Sequence, residues 1–357
     1  MIVYNVVGVM SGTSGDGLDL ALCEFTYDNH RWQYSIKKAE TVPHPGYWLN
    51  IFDSAVDTRA FDFIKLHNAF GAYIGDCINS FLAGTGGKVD LIASHGHTVC
   101  HKPDEGLTFQ LGCGSEIAAR CKITTVSDFR SLDVALKGQG APLVPAGDEL
   151  LFGEYDFCLN LGGFANISFR EGKARRAFDI CPVNIIFNKL ANDRGHKMDR
   201  DGQLASRGSI SHKLLGKLNG MEYYSRSFPK SLSREWLLAA FMPVVNESEI
   251  STEDKLRTVC EHITMQIADC VDRNAGGTVL VTGGGAFNKF LTGLLKQKCN
   301  CKLFIPDKKT VKFKEAIVFG LLGVLRLRNE INCLSSATGS MADTSSGIIF
   351  HFNSVTK

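Results

Sequence analysis

This chain of 357 residues lacks most of the features that settle a function quickly. It has no surplus charge, since 39 Lys and Arg stand against 37 Asp and Glu for a formal net charge of +2. Nucleic acid and anionic membrane are therefore not expected as main partners, because both call for a concentrated basic patch. No apolar run approaches the roughly 18 residues of a membrane span, and no low-complexity segment stands out. The first ten residues are apolar but carry no basic stretch and no cleavage site, so they read as a first strand rather than a leader. The twelve cysteines are scattered from Cys23 to Cys333 and fall mostly on apolar faces, which predicts reduced core thiols and a cytoplasmic protein. None of the glycine clusters has the spacing of the dinucleotide fingerprint or the Lys-Ser/Thr pair of a P-loop.

What the chain does have is a repeated device. The apolar run Val6 to Met10 breaks into Ser11-Gly12-Thr13-Ser14-Gly15-Asp16-Gly17-Leu18-Asp19, which reads as strand, polar turn and returning strand. Glycines permit close backbone approach, the hydroxyls add donors, and Asp16 and Asp19 can orient a metal or its water, a set that suits a polyphosphate with Mg²⁺. The device recurs at 157–170, where Phe-Cys-Leu-Asn-Leu runs into Gly162-Gly163 and then Ala-Asn-Ile-Ser-Phe. A third cluster, Gly283-Gly284-Gly285, follows the strand Thr278 to Thr282 and leads into an expected helix whose first amides would face a ligand.

The remaining pattern is α/β. Helices are expected over 66–82, from Pro182, from Thr252 with the stripe Leu256, Val259, Ile263, Ile267 and Val271, and over 315–327. Short buried strands are expected at 89–93 and 123–126. The glycine- and proline-punctuated stretch from Gly138 onward marks a boundary. The expected division is an N-terminal lobe at 1–148, a C-terminal lobe at 149–334, and a tail at 335–357 packing back on the first lobe.

Several blocks in one order carry a resemblance. Gly-Val-Met-Ser-Gly-Thr-Ser at 8–14, Asp16-Gly17, Ser-His-Gly-His-Thr-Val at 94–99, Asp128-Phe129-Arg130, Gly-Gln-Gly-Ala-Pro-Leu-Val-Pro at 138–145, Leu-Asn-Leu-Gly-Gly-Phe-Ala-Asn at 159–166, Pro229-Lys230-Ser231 with Arg234-Glu235, and Gly283 to Gly285 are similar to the anhydro-N-acetylmuramic acid kinases, of the actin, sugar-kinase and heat-shock chaperone ATPase superfamily. The resemblance implies two ribonuclease H-like lobes with an interlobe nucleotide cleft, closing on ATP and Mg²⁺. It implies a reaction in which water opens the 1,6-anhydro bridge at the anomeric carbon while the freed 6-oxygen takes the γ-phosphoryl group, in a cytoplasmic homodimer that recycles cell-wall sugars. It also implies the roles of individual residues. Gly12, Thr13, Ser14, Gly15, Asp16, Gly17, Leu18, Asp19, Gly162, Gly163 and Gly283 to Gly285 would hold ATP, with Asp16 on the metal.

Asp179, in Ala-Phe-Asp-Ile-Cys-Pro-Val-Asn, matches the family carboxylate that takes a proton from the attacking water, although its position also suits a helix cap. Ile180, Cys181 and Val183 depart from the Thr and two Gly of the family pattern. Arg130 would grip a lactyl carboxylate and Asp133 a sugar hydroxyl, unless they form surface ion pairs. His97, where the family has Gln, would donate to a sugar oxygen beside Thr98. Glu315 matches an acid near the sugar, but Lys312-Phe313-Lys314 before it departs from an acidic pattern.

Other readings stay open on the sequence. A kinase for another amino sugar or anhydrosugar, or a nucleotide- and sugar-binding relative without turnover, fits the changes around Asp179. His95 and His97, completed by Cys100 or His101, suggest a metallohydrolase. Ser11 or Ser14 as a hydrolase nucleophile lacks the elbow pattern.

Overall fold

A computed structural model describes residues 1–12, 17–228, 230–272 and 276–352. The turn residues Thr13, Ser14, Gly15 and Asp16 lie outside the described residues, and so does Pro229. The chain forms two compact units, Met1–Leu151 with Phe313–Lys357, and Phe152–Lys312.

The first unit is built on β1 (Ile2–Ser11), β2 (Leu18–Asp28), β3 (Arg31–Val42), β4 (Leu91–Lys102), β5 (Leu107–Leu111) and β6 (Thr125–Ser127). β1, β2 and β3 are antiparallel, whereas β4 runs parallel to β1 and β6 parallel to β4, with β5 appended to β4. The second unit repeats the plan with β7 (Phe157–Leu161), β8 (Phe164–Glu171), β9 (Ala174–Pro182), β10 (Thr278–Thr282) and β11 (Lys302–Phe304), in the order β11-β10-β7-β8-β9. Counted from its own first hairpin, each sheet reads third, second, first, fourth, fifth, which is the ribonuclease H-like order. β12 (Ile348–Phe350) then pairs antiparallel with β6.

Val6, Val7 and Val9 are all fully buried because helices cover both faces of the first sheet. Val7 and Val9 meet the helix Ala60–Leu82 through Phe70, Ile74 and Ile78. That helix starts six residues before the expected Leu66, since Phe61 and Ile64 lie exposed and share no stripe with the buried side. Gly8 lies under the helix Lys308–Leu327, where an added Cβ would stand 1.9 Å from the Ala316 carbonyl oxygen. This packing corrects the expected second boundary. Residues 313–334 group with the first unit, not the second, because Ala316, Ile317, Val318, Phe319, Leu321 and Leu322 are buried and Gly323 abuts Ala93 of β4.

The C-terminal segment is tied down by Asp133, which is wholly buried. Its carboxylate accepts from Gly140 N at 2.8 Å, Thr338 Oγ1 at 2.7 Å and Cys333 Sγ at 3.2 Å. Asp133 is thus neither a surface ion-pair member nor an acceptor for a sugar hydroxyl, because its oxygens are sealed and engaged.

In the second unit the helix Thr252–Val271 buries the expected stripe Leu256, Val259, Ile263, Ile267 and Val271 completely. Ser251 Oγ caps it by accepting from Asp254 N at 3.0 Å. Two local expectations differ. β9 runs through Pro182, and the next helix begins at Asn184, since a proline at a strand end forgoes no ladder bond. After the triple glycine, Gly284–Phe287 make a tight turn, and the helix proper is Lys289–Lys298, capped by Asn288, whose side chain takes the Leu291 amide. None of the twelve cysteines is in a disulfide.

Replacing Gly8 by Ala is expected to lower unfolding free energy by about 2–3 kcal/mol in urea denaturation, since backbone must move to admit a methyl. Gly216→Ala, in a helix with nothing within 4 Å of its added carbon, is expected to raise it by about 0.5–1 kcal/mol; equal effects would refute the close approach. Asp133→Ala leaves Gly140 N and Cys333 Sγ without an acceptor and Thr338 Oγ1 with the more distant Leu334 O at 3.3 Å, and it is expected to cost about 2–4 kcal/mol. A cost under about 1 kcal/mol would mean that the carboxylate is not the tie described.

Candidate active site

In the first unit, the end of β1 delivers Ser11 into a buried polar chain. Its Oγ lies 2.9 Å from His44 Nε2 and 2.9 Å from His97 Nδ1. Phe52 stacks on the His97 ring with centroids 3.6 Å apart. Burial, and then the nearby His44, push His97 down to about 4, so its imidazole is neutral at physiological pH. Thr98, the next residue, pairs with Gln110 between β4 and β5. At the far side of the turn, a Cβ on Gly17 would stand 2.5 Å from the Val42 carbonyl oxygen. Leu18 is fully buried, so its side chain serves the core and only its backbone remains for a ligand. Half-buried Asp19 accepts the Thr41 hydroxyl.

Arg130 stands just before a short helix, Ser131–Ala135. His95 Nδ1 lies 2.9 Å from Gly96 O, and since a carbonyl only accepts, that nitrogen carries the proton. His95 Nε2 is then the acceptor for Arg130 Nε at 2.8 Å, while Arg130 Nη1 donates to Gly140 O at 2.7 Å. The Nη2 end makes no hydrogen bond among the described residues. The charge of Glu315 interacts with those of Arg130, Asp19 and Lys314. Burial lifts its pKa, against the pull of Arg130. Lys314 finds a buried partner in Asp148 at 2.7 Å, which accounts physically for a lysine in that place.

Among the described residues the rival sites do not assemble, and Ser14 lies outside them. His95 is held by Arg130, His97 by Ser11, and His101 lies 3.1 Å from Thr108 Oγ1. Among the described residues, no three His, Cys, Asp or Glu side chains gather as a metal group. Ser11 does touch two imidazoles, but at 1% exposure no substrate carbonyl reaches it.

In the second unit, the Gly162-Gly163 turn faces the start of the helix Asn184–Asn192 with its carbonyls. Gly163 O accepts from Val183 N at 2.8 Å and Ile185 N at 3.3 Å, and Gly162 O accepts from Asn184 N at 3.2 Å. Asn184 Nδ2 donates to Leu161 O at 2.9 Å. Gly283, at φ +79°, leaves room for Asn160, whose Oδ1 would be 2.4 Å from an added Cβ, and Gly284 and Gly285 lie against Asn184. The hairpin, the triple glycine and two asparagines thus form one backbone-lined corner. Asn160 and Asn184 were not among the expected ligands, although an asparagine inside an apolar strand is a visible signal.

Asp179 lies near the end of β9. Its Oδ2 accepts from Leu232 N at 2.8 Å, its own amide donates to Lys230 O at 3.2 Å, and its carbonyl accepts the Tyr223 hydroxyl at 2.6 Å. Burial pushes its carboxyl up to about 6, and the Leu232 amide opposes the rise. It is no helix cap, because the amides at the helix start go to the glycine turn. Ile180, Cys181 and Val183 are all buried in the core of this unit, so the three departures change packing rather than exposed groups.

A family profile described as anhydro-N-acetylmuramic acid kinase matches residues 4–352. Relatives of that name include one from Vibrio parahaemolyticus serotype O3:K6, 34% identical with 97% of this chain and 98% of the relative covered. Another, from Mannheimia succiniciproducens, is 32% identical over 98% of this chain and 100% of the relative. Among solved structures, Acidaminococcus fermentans (R)-2-hydroxyglutaryl-CoA dehydratase component A aligns at 12% identity and a TM-score of 0.46, over 90% of this chain and 98% of that one. A hexokinase from Schistosoma mansoni complexed with glucose aligns at 11% and 0.38, over 90% and 85%. The assignment rests on the sequence matches and not on these distant structures. By a profile spanning nearly its whole length and relatives covered end to end, the chain belongs to the anhydro-N-acetylmuramic acid kinase family.

Proposed function

We propose that the protein uses ATP to convert 1,6-anhydro-N-acetylmuramic acid and water to N-acetylmuramic acid 6-phosphate and ADP. The observation that carries the base is Asp179, a partly buried carboxylate with one oxygen fixed by the Leu232 amide and a pKa lifted to about 6. A carboxylate poised there is ionised at neutral pH, yet basic enough to take a proton from water as water oxygen bonds the anomeric carbon. The bond from that carbon to the 6-oxygen breaks, and the 6-oxygen takes the γ-phosphoryl group as the bond to ADP breaks.

Phosphate and adenosine are assigned to the glycine-lined corners of the two units, Gly12 with Gly17 in one and Gly162, Gly163 and Gly283 to Gly285 in the other. Turns with no side chain in the way let amides approach charged oxygens closely. Thr13, Ser14, Gly15 and Asp16 belong to the same proposed phosphate turn. Magnesium, which neutralises phosphate charge in such transfers, suits the hard oxygens of Asp19, with Asp16 the other expected ligand. The Nη2 end of Arg130 is assigned to the lactyl carboxylate, and Glu315 and His97 to the sugar. A reducing, cytoplasmic setting suits twelve cysteines without a disulfide, and a homodimer is the assembly expected for the family.

Asp179→Asn keeps the size and the acceptor for Leu232 N. It is expected to lower kcat with the anhydrosugar by about 10²–10⁴-fold in an ATP-coupled assay, while ATP binding persists. Activity within about tenfold of the parent would remove Asp179 from the role of base. The base works only when ionised, so kcat/KM is expected to fall as pH drops through about 6 and to level off above about 7. A profile flat from about pH 5 to 8 would contradict it. Turnover of N-acetylglucosamine but not of the anhydrosugar would point to a kinase for another amino sugar.

A further inference from the structure

The Ser11 hydroxyl stands between two imidazole nitrogens and makes no other hydrogen bond among the described residues, so its one proton goes to one ring and the other ring donates to it. Two arrangements satisfy that condition. In one, Ser11 donates to His44 Nε2, and His44 then carries its proton on Nδ1. In the other, His44 Nε2–H donates to Ser11, Ser11 donates to His97 Nδ1, and His97 carries its proton on Nε2.

The surroundings of His44 choose between them. His44 Nδ1 is sealed from solvent and has no hydrogen-bond partner. A proton there would be a buried, orphaned donor, which folded proteins avoid more strictly than an orphaned lone pair. Phe52, Phe70 and Tyr73 surround the ring and give it no acceptor aimed at Nδ1. The proton therefore sits on His44 Nε2, and direction runs from His44 through Ser11 to His97. His97 is 5% exposed, and its Nε2 makes no hydrogen bond among the described residues, which leaves that proton for a ligand acceptor.

We propose that His44 and Ser11 are positioning residues that lock His97 as the Nε2–H tautomer, so that it donates a hydrogen bond to an acceptor oxygen of the bound sugar. Both rings are neutral, His44 held below its ordinary pKa by burial and His97 by burial and then His44. The donor is thus an uncharged N–H, which also explains how a histidine does the work of a side-chain amide. The inference rests on the kinase reading only for the identity of the sugar.

The test reads the tautomer and the binding separately. In ¹⁵N-histidine-labelled protein without sugar or ATP, long-range nitrogen–proton spectra should show His97 protonated on Nε2 and bare at Nδ1. Anhydro-N-acetylmuramic acid binding is then measured by calorimetry in His44→Phe, His44→Gln and His97→Phe proteins. His44→Phe should disturb the His97 tautomer and weaken sugar binding about three- to tenfold, the range of one neutral hydrogen bond. His44→Gln, whose amide can donate to Ser11, should restore both. His97 protonated on Nδ1 in the parent protein would overturn the proposal whatever the enzyme's activity. Unchanged sugar affinity in a folded His97→Phe protein would overturn the donation to sugar. No sugar binding to the parent protein would overturn both this donation and the kinase reading, whereas binding without phosphorylation would count against the kinase reading alone.

Discussion

One contact governs the first unit, the approach of the helix Lys308–Leu327 to β1 at Gly8. Only a residue without a side chain lets the Ala316 carbonyl come so near. Glu315 is the neighbour of Ala316, so the same approach fixes where its carboxyl meets the charges of Arg130 and Asp19. The buried Lys314–Asp148 pair anchors the preceding residue. A buried ion pair adds little net stability, but breaking one is costly, so it restrains the helix against sliding. Packing and electrostatics therefore specify one helix position together.

The second unit answers a different constraint, the need to satisfy amides at the start of a helix. The glycine turn supplies carbonyls to Val183, Asn184 and Ile185, which removes that helix end as an anion site and turns Asn184 toward the triple glycine. Asp179 consequently depends on the segment at 230–232 for its fixed oxygen, not on the helix that follows it.

Much of this was legible in the chain. The stripe from Leu256 to Val271 is a strong periodic signal because every member faces one core. The two glycine hairpins could be found because strand, turn and strand are local in sequence. The His44–Ser11–His97 chain could not, although Ser11 and His97 stood out singly, since its members lie 33 and 86 positions apart and His44 bears no local mark of its contact with Ser11. Asp133 is hidden for the same reason, as its partner Thr338 is 205 positions away. Pro182 misled because a proline serves equally at a strand end or a helix start, and the pairing with Phe164 decides for the strand.

The discontinuity of the first unit also bears on how the chain is born. Its sheet is begun by β1 and β2, yet the helix from Phe313 and the strand Ile348–Phe350 that complete it come after the whole second unit in sequence. The second unit is continuous in sequence and is complete while the first still waits for its covering helix. During synthesis, the apolar face around Val6 and Gly8 is therefore uncovered until that helix follows, and such a transiently exposed face is the kind of surface that favours association.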